Sequence, residues 1–317
     1  MFEDKLLMFE NRLKKVLRIL GKQAKQQKIS CFRLYDRDLP EFPLIIDIYE
    51  TEVQVTEYRS HHHLSPEEYD LWLDSSVEVV LKVIGKTPEQ LHLKERKRKE
   101  SRADQYQKTD DQKEFIEVEE GGLKFYLNLN DYLDTGLFID HRLTREMVRK
   151  ESAGKRVLNL FCYTGAFSVY AASGGASEVI SVDLSNTYLA WAERNMELNG
   201  FLGDEYFFER ADVLEYIHEI PPASFDLIVL DPPTFSNSKA MKEVFEIQDM
   251  HVDLINDCLS KLTPNGTLYF STNFRKFIIE EAYINGLVQN ITTSTTPFDF
   301  KGKLLRWCYK IQLKQKD

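Results

Sequence analysis

Asp231-Pro232-Pro233-Thr234-Phe235 is the stretch of this chain whose residue types point most narrowly to one chemistry. It follows a buried-looking apolar run, Phe225-Asp-Leu-Ile-Val-Leu230. Prolines fix φ and remove backbone donors, so the turn holds a carboxylate, an outward carbonyl and a rigid aromatic ring. Carboxylate and carbonyl accept from the N–H groups of a planar base, while Phe235 stacks on its π-face. A plain Pro-Pro turn after a buried strand is the competing reading. Phe270-Ser-Thr-Asn273-Phe-Arg275-Lys276 ends another apolar run. There Asn273 would line the same pocket and Arg275 and Lys276 would meet phosphate, with a loop or helix start as the alternative.

A second group lies upstream. Arg156-Val-Leu-Asn-Leu-Phe-Cys-Tyr-Thr-Gly165-Ala-Phe167 reads as a short buried strand, a tight turn and the start of a helix. Phosphate-binding turns need several glycines at a helix N-terminus; this one holds only Gly165, with Tyr163 where a dinucleotide fingerprint wants glycine. Such a bulky turn suits a cofactor that presents no phosphate, S-adenosylmethionine above all; a tight packing turn is the alternative for Gly165. Asp183 ends the next strand, Val179-Ile-Ser-Val-Asp183, eighteen residues beyond Gly165. A carboxylate there faces the mouth of a parallel sheet and suits the two hydroxyls of a ribose. Asp212, after a third strand, would accept from an adenine amino group or cap the helix that follows.

Other residues weigh less. His61-His62-His63 could bind metal, but with no acid or cysteine beside them a solvated turn is the better reading, and no metal is expected. Cys31, Cys162, Cys258 and Cys308 have no short paired spacing, so neither zinc nor a disulfide framework is indicated, and Cys162 reads as a small core residue. Net charge is −10, which argues against a polyanionic partner in bulk. The basic residues are concentrated, however: seven Lys or Arg and no acid between 11 and 28, and six between 92 and 102 against two acids. Either patch can hold a polyanion locally or be a solvated helix face and a charged linker. No stretch is apolar enough to span a membrane and no secretory pattern opens the chain, so a cytoplasmic location is expected.

The elements that must position these groups follow from periodicity. Residues 2–28 read as a helix with Leu6, Phe9, Leu13, Val16, Leu17 and Leu20 on one face. Residues 33–40 read as a loop, 44–49 and 53–58 as a hairpin, 66–84 as a helix, and the stretch to about 113 as a polar, basic connection. A second hairpin flanks Gly121-Gly122, so residues 1–130 form a small α+β domain. From 131 on, a polar connector and a helix to about 150 lead into alternating strands (156–161, 178–183, 206–210, 225–231, 267–271) and helices (165–173, 186–199, 212–219, 243–262). That alternation predicts a Rossmann-like α/β domain over 131–317, with a mostly parallel seven-stranded sheet and helices on both faces. A helix over 276–290 and a final strand over 304–313 complete it.

Longer motifs carry a resemblance. Asp131-Tyr-Leu-Asp-Thr-Gly-Leu-Phe-Ile-Asp-His-Arg142, Asn159-Leu-Phe-Cys-Tyr-Thr-Gly165, Asp231-Pro-Pro-Thr-Phe-Ser-Asn-Ser-Lys239 and Phe270-Ser-Thr-Asn273 resemble the guanine-N7 methyltransferase half of the bacterial bifunctional large-subunit ribosomal RNA methyltransferase. Asn11-Arg-Leu, Phe32-Arg-Leu-Tyr-Asp-Arg-Asp-Leu-Pro40 and Gln105-Tyr-Gln-Lys108 extend the likeness through the first domain. The resemblance implies a class I S-adenosylmethionine-dependent fold and 23S rRNA as substrate, free or in a precursor particle. It implies cofactor contacts from Phe138, Asp140, Arg142, Asn159, Phe161, Tyr163, Thr164, Gly165, Asp183, Leu184, Asp212, Val213 and Asp231, with Asp140 and Arg142 in a segment that closes over the cofactor. Asp231, Pro232, Phe235 and Asn273 form the catalytic set. Two departures stand out: Thr272 occupies a position where the family tends to have a second asparagine, and the bifunctional protein's second methyltransferase and RNA-binding module do not occur in these 317 residues. RNA capture is therefore expected from residues 1–130. A related family methylates cytosine C5 through an attacking cysteine, but no cysteine lies in 231–239 or 270–276. The competing readings are methylation of an exocyclic amine, guanine N2 or adenine N6, and a catalytically silent RNA-binding assembly factor.

Overall fold

A computed structural model describes residues 2–58, 64–96, 114–132, 134–236, 244–303 and 306–314. His61-His62-His63, the basic residues 97–102, Gln105–Lys108, the Asn237–Lys239 end of the proline motif and Leu304 lie outside the described residues. The chain divides into two units, Met1–Glu120 with Leu127–Thr135, and Gly121–Tyr126 with Gly136–Asp317. The change of unit thus falls at Thr135 rather than at residue 130, and the second unit takes in residues 121–126.

In the first unit, α1 (Phe2–Gln27) buries Phe9, Leu13, Val16 and Ala24. Phe9 stacks on Phe42 with ring centroids 4.3 Å apart and meets Tyr35 edge-on. A sheet of order β1-β2-β3-β4 contains β1 (Cys31–Asp36), β2 (Leu44–Tyr49) and β3 (Glu52–Tyr58) as antiparallel neighbours, with β4 (Leu91–Arg96) parallel to β3. A parallel return needs a crossover, and α2 (Pro66–Ile84) supplies it, opened by a capping box between Ser65 and Glu68. Two short strands, β5 (Ile116–Glu120) and β6 (Leu123–Leu127), flank Gly121-Gly122.

Two readings of this unit are corrected. Residues 33–36, expected in a loop, belong to β1. Their charges are cancelled inside the sheet: the Arg33 guanidinium donates to both Asp47 oxygens on β2, at 2.8 and 2.9 Å, and Phe32, Leu34 and Tyr35 are buried. Residues 91–96, expected in a polar connection, are β4. Its polar side chains make the internal contacts: His92 bridges Asn130 and Glu52, and the buried Lys94 ammonium donates to the Tyr132 carbonyl. That inversion hides the strand from an apolar pattern.

The second unit carries a seven-stranded sheet of order β14-β15-β13-β10-β7-β8-β9. Its strands are β7 (Arg156–Leu160), β8 (Glu178–Asp183), β9 (Tyr206–Arg210), β10 (Phe225–Leu230), β13 (Leu262–Thr272), β14 (Gly286–Asn290) and β15 (Trp307–Leu313). The five from β7 to β13 run parallel, and β15 is antiparallel to both its neighbours. Helices α3 (Arg142–Glu151), α4 (Ala166–Ser173) and α5 (Asn186–Leu198) pack on one another, and α6 (Val213–Glu219) packs on α7 (Ile247–Lys261). These are the two helical layers of the sheet. A two-residue pair, β11 (Phe235–Ser236) with β12 (Phe245–Glu246), joins the proline turn to the start of α7.

The helix expected over 276–290 does not form; residues 286–290 are β14, preceded by an extended stretch with one short turn at Glu281–Tyr283. The reason is on α7. Gln248 holds both the N–H and the C=O of Ile278, His251 Nε2 accepts from Glu280 N, and Asn256 takes Tyr283 O and Asn285 N. Backbone groups that a helix would pair internally are satisfied by these side chains instead. Gly286 then lets β14 close on β15, since a Cβ there would stand 2.8 Å from Gln312 O.

Arg33→Ala leaves Asp47 buried without its cation, while Asp36 keeps Arg37 at 2.7 Å. We expect it to lower the unfolding free energy of the first unit by about 3–5 kcal/mol, measured by urea denaturation, with the second unit's transition unmoved.

Candidate functional site

Register aligns the C-terminal ends of the central strands. Leu160 pairs with Val182 on one side and Leu230 on the other, and Leu230 pairs with Phe270. The next residues, Asp183, Phe161, Asp231 and Ser271, therefore form one row at the mouth of the sheet. The chain leaves β7 toward β8 and β9 on one side and resumes at β10 on the other, the switch point where open α/β sheets bind ligands. Asp183 and Asp231 flank it two strand spacings apart, roughly 10 Å.

The turn after β7 alternates through the left-handed region, with φ of 55° at Phe161, 51° at Tyr163 and 72° at Gly165. Such conformations cost non-glycine residues about 1–3 kcal/mol each and persist only where the surroundings over-determine them. Here Asp183 does much of the holding: Oδ2 accepts from Tyr163 N at 3.0 Å and Oδ1 from Ser185 N at 2.9 Å. Burial raises the Asp183 carboxyl above its usual range, against the pull of those N–H groups. Beyond the N–H groups of Tyr163, Ser185 and Leu184, the carboxylate keeps acceptor capacity for a ligand hydroxyl. Gly165 is required twice, by its φ and because a Cβ would meet the Ala192 Cβ at 2.7 Å.

The expected cofactor residues divide by exposure. Phe138 is exposed, and its ring stands 5.3 Å from that of Tyr163, which also meets Tyr188 at 4.6 Å. Phe161, Asp140, Leu184, Asp212 and Asp231 are half-buried. Asp212 caps α6, Oδ1 accepting from Leu214 N at 3.1 Å, which leaves its other oxygen for a ligand. Arg142, Asn159, Thr164, Gly165 and Val213 are buried. The Arg142 guanidinium is paired with Asp299 at 2.7 Å, and the Asn159 amide donates to Ser168 Oγ at 2.9 Å. Both side chains are thus engaged within the protein, where cofactor contacts were expected of them. The stretch 136–140, which carries Asp140 and leads into Arg142, is held along its backbone. Its carbonyls are held one after another by Thr164 Oγ1 (to Gly136), Arg145 (to Phe138), Arg142 (to Ile139) and Arg306 (to Asp140).

On the other flank, Asp231 Oδ1 accepts from Ser271 Oγ at 2.6 Å, and Oδ2 stands 3.6 Å from His141 Nε2, just beyond hydrogen-bond reach. Pro232 is buried, while Thr234 and Phe235 are half-buried. The Thr234 hydroxyl donates to the exposed Asn273 side chain, and the Thr234 carbonyl accepts from Ile247 N at 3.2 Å. The proline turn is thus tied to both β13 and α7. Arg275 and Lys276 are exposed.

Sequence reasoning missed His141, Ser271 and Arg306. His141 sat inside a quoted motif but had no visible partner, because Asp231 lies ninety residues away. Burial holds its imidazole down to about 4, against an upward pull from Asp231, so the ring is neutral at pH 7. Its Nδ1 is buried with no hydrogen-bond partner among the described residues, which favours the proton on Nε2, toward the carboxylate. Arg306 joins Thr295, Thr144 and Asp140 in one buried polar layer. Cys162 is buried and its thiol is raised well above the usual range, first by burial and then by Asp183, so it is no nucleophile. Among the described residues no group of three His, Cys, Asp or Glu is placed to hold a metal, and no helix is long and apolar enough to cross a membrane.

The donor set decides which cofactor fits. The mouth presents the carboxylates of Asp183, Asp212 and Asp231, while Arg142 and Arg306 are buried and ion-paired, with Asp299 and Asp140. A pyrophosphate would meet like charge there; a ribose diol with a sulfonium and an ammonium group meets acceptors. A sheet of this order with an acceptor-rich crevice at its switch point defines an enzyme that transfers methyl groups from a sulfonium donor.

Comparison with known proteins agrees. A model of the S-adenosylmethionine-dependent methyltransferases matches residues 80–283, and the chain belongs to that family; its cofactor is S-adenosylmethionine. Ribosomal RNA large subunit methyltransferase K of Neisseria meningitidis is 45% identical over 309 residues, 96% of this chain and 87% of that protein. Ribosomal RNA large subunit methyltransferase K/L of Stutzerimonas stutzeri is 47% identical over 93% of this chain, which spans only 40% of that protein. Among solved structures, a methyltransferase described as complexed with SAH (SMU.776) superposes with a TM-score of 0.75 at 26% identity, covering 96% of this chain and 82% of that one.

His141 gives the site a pH signature. The unfolded chain takes up its proton below about pH 6.5, whereas the folded chain resists until about 4. Stability contributed by the neutral ring is therefore complete above 6.5 and is lost as pH falls through 4. We expect the wild type to lose roughly 2–4 kcal/mol more than His141→Gln over that interval, measured by denaturant titrations at stepped pH.

Proposed function

We propose that this enzyme methylates guanine N7 in 23S ribosomal RNA, in the cytoplasm, on the large-subunit RNA or a precursor particle, and that the first unit captures the RNA. The supporting observation is the position of the Asp231–Phe235 turn. It stands at the sheet mouth next to the β7 turn, with Asp231 held by Ser271 and Thr234 tied to Asn273. The names of the relatives, which act on large-subunit ribosomal RNA, favour the same substrate.

Guanine N7 carries an in-plane lone pair and no proton, so alkylation there calls for no general base and no covalent enzyme intermediate. S-adenosylmethionine supplies the electrophilic methyl. What the chain must provide is alignment within about 3–3.5 Å of the reacting atoms. In this reading Asp183 takes the ribose hydroxyls, Asp212 the adenine amino group, and the 159–165 turn the methionine end. Asp231 and the Pro232 carbonyl accept from the guanine N–H edge, Phe235 stacks on an unstacked base, and Asn273 closes the pocket. Cytosine-C5 chemistry lacks its nucleophile: the four cysteines are buried, and burial raises the thiols of Cys162, Cys258 and Cys308. No specific contact favours amine methylation or a silent assembly role.

Incubation with large-subunit rRNA and labelled S-adenosylmethionine, followed by nucleoside mass spectrometry, is expected to yield N7-methylguanosine. An N2- or N6-methyl product would replace this reading, and no product would sink it. Loss of a base stack costs about 1–3 kcal/mol. Phe235→Ala should accordingly lower kcat/KM for RNA by roughly tenfold to a hundredfold with the donor Kd little changed; equal turnover in that variant contradicts the clamp.

A further inference from the structure

We propose that the solvent face of α1, carrying Lys15, Arg18, Lys22 and Lys25, is the surface on which the enzyme docks the phosphate backbone of its RNA; this rests on the RNA reading above. The four residues recur at intervals of three, four and three, which puts them on one helical stripe. That stripe lies opposite Phe9, Leu13, Val16 and Ala24, the buried face of the helix, and all four cations are exposed. Ten residues of helix make the stripe about 15 Å long.

Their charge is uncompensated, and that separates them from Arg12 and Lys14 on the same helix. Arg12 pairs with Asp38 at 2.8 Å and Lys14 with Glu10 at 2.7 Å. Lys15, Arg18, Lys22 and Lys25 have no acidic partner among the described residues, and no acid occurs between residues 11 and 28. A chain of net charge −10 that keeps such a stripe clear of carboxylates presents a local polyanion site inside a repelling field. Asn11 and Gln26, both exposed, add neutral donors suited to phosphate and sugar oxygens. An anionic bilayer is the other polyanion to weigh. A helix lying in a membrane surface must offer its apolar face to the lipid, and here Phe9 and Leu13 are fully buried within the unit.

The test compares the wild type with the full-length variant K15Q/R18Q/K22Q/K25Q on large-subunit rRNA across a salt series. Methylation kinetics are read together with RNA binding by fluorescence anisotropy. Each lost phosphate contact removes about 0.7–0.9 from the slope of log affinity against log salt, so the slope should fall by about 3. The RNA KM at low salt should rise at least tenfold, with the loss in KM rather than kcat. Lys-to-Arg replacement at 15, 22 and 25, which keeps the charge, should restore binding. Unchanged RNA affinity and slope in the glutamine variant overturn the inference. So does loss of binding to phosphatidylserine vesicles without loss of RNA binding. If the wild type binds RNA through these residues yet methylates none of it, the functional reading fails and the docking surface stands.

Discussion

One carboxylate fixes the geometry on which the site depends. Asp183, at the end of β8, accepts from the backbone of the turn that follows β7 and from the turn that follows its own strand. That acceptance helps to hold Tyr163 in a left-handed conformation that its side chain disfavours. The turn is further closed by Cys162 N on Val182 O and Gly165 N on Cys162 O. Its shape is therefore set by the chain's own bonds, and Asp183 keeps acceptor capacity beyond them. Preorganisation of this kind lowers the ordering cost of binding.

The flank that carries Asp231 is built on the same plan, with rigidity borrowed from distant residues. Asp231 leans on Ser271 from β13 and faces the neutral His141. The stretch that carries His141 has its own carbonyls pinned by Arg145, Arg142 and Arg306. Arg142 and Arg306 spend their charge on Asp299 and Asp140, so neither is a free cation at the crevice. An acceptor-rich crevice favours a cationic donor over a phosphorylated one. Lys15, Arg18, Lys22 and Lys25 line one exposed face of α1, in the other unit.

Much of this architecture could be read from residue order, and the failures have physical causes. The β7 and β8 strands, the lone glycine of the turn and the Asp183 carboxylate are local features, visible as apolar runs that end in particular residues. Strand β1 was hidden because Arg33 and Asp36 look solvated until Asp47, from the next strand, cancels Arg33. Strand β4 was hidden because His92 and Lys94, not leucines, make its inward contacts. The 276–290 stretch has helical residues, but its backbone is claimed by Gln248, His251 and Asn256 on α7. Side-chain partnerships across such separations leave no periodicity. For the same reason His141, Ser271 and Arg306 gave no signal, and the inward turn of Arg142 and Asn159 could not be told from an outward one.

The most direct measurement is a calorimetric titration of S-adenosylmethionine into the wild type and into Asp183→Ala. The account predicts saturable one-to-one binding by the wild type and at least a tenfold weaker or undetectable heat for the variant at equal secondary-structure content. Equal affinity in the two proteins would mean that the donor lies elsewhere and would contradict the account.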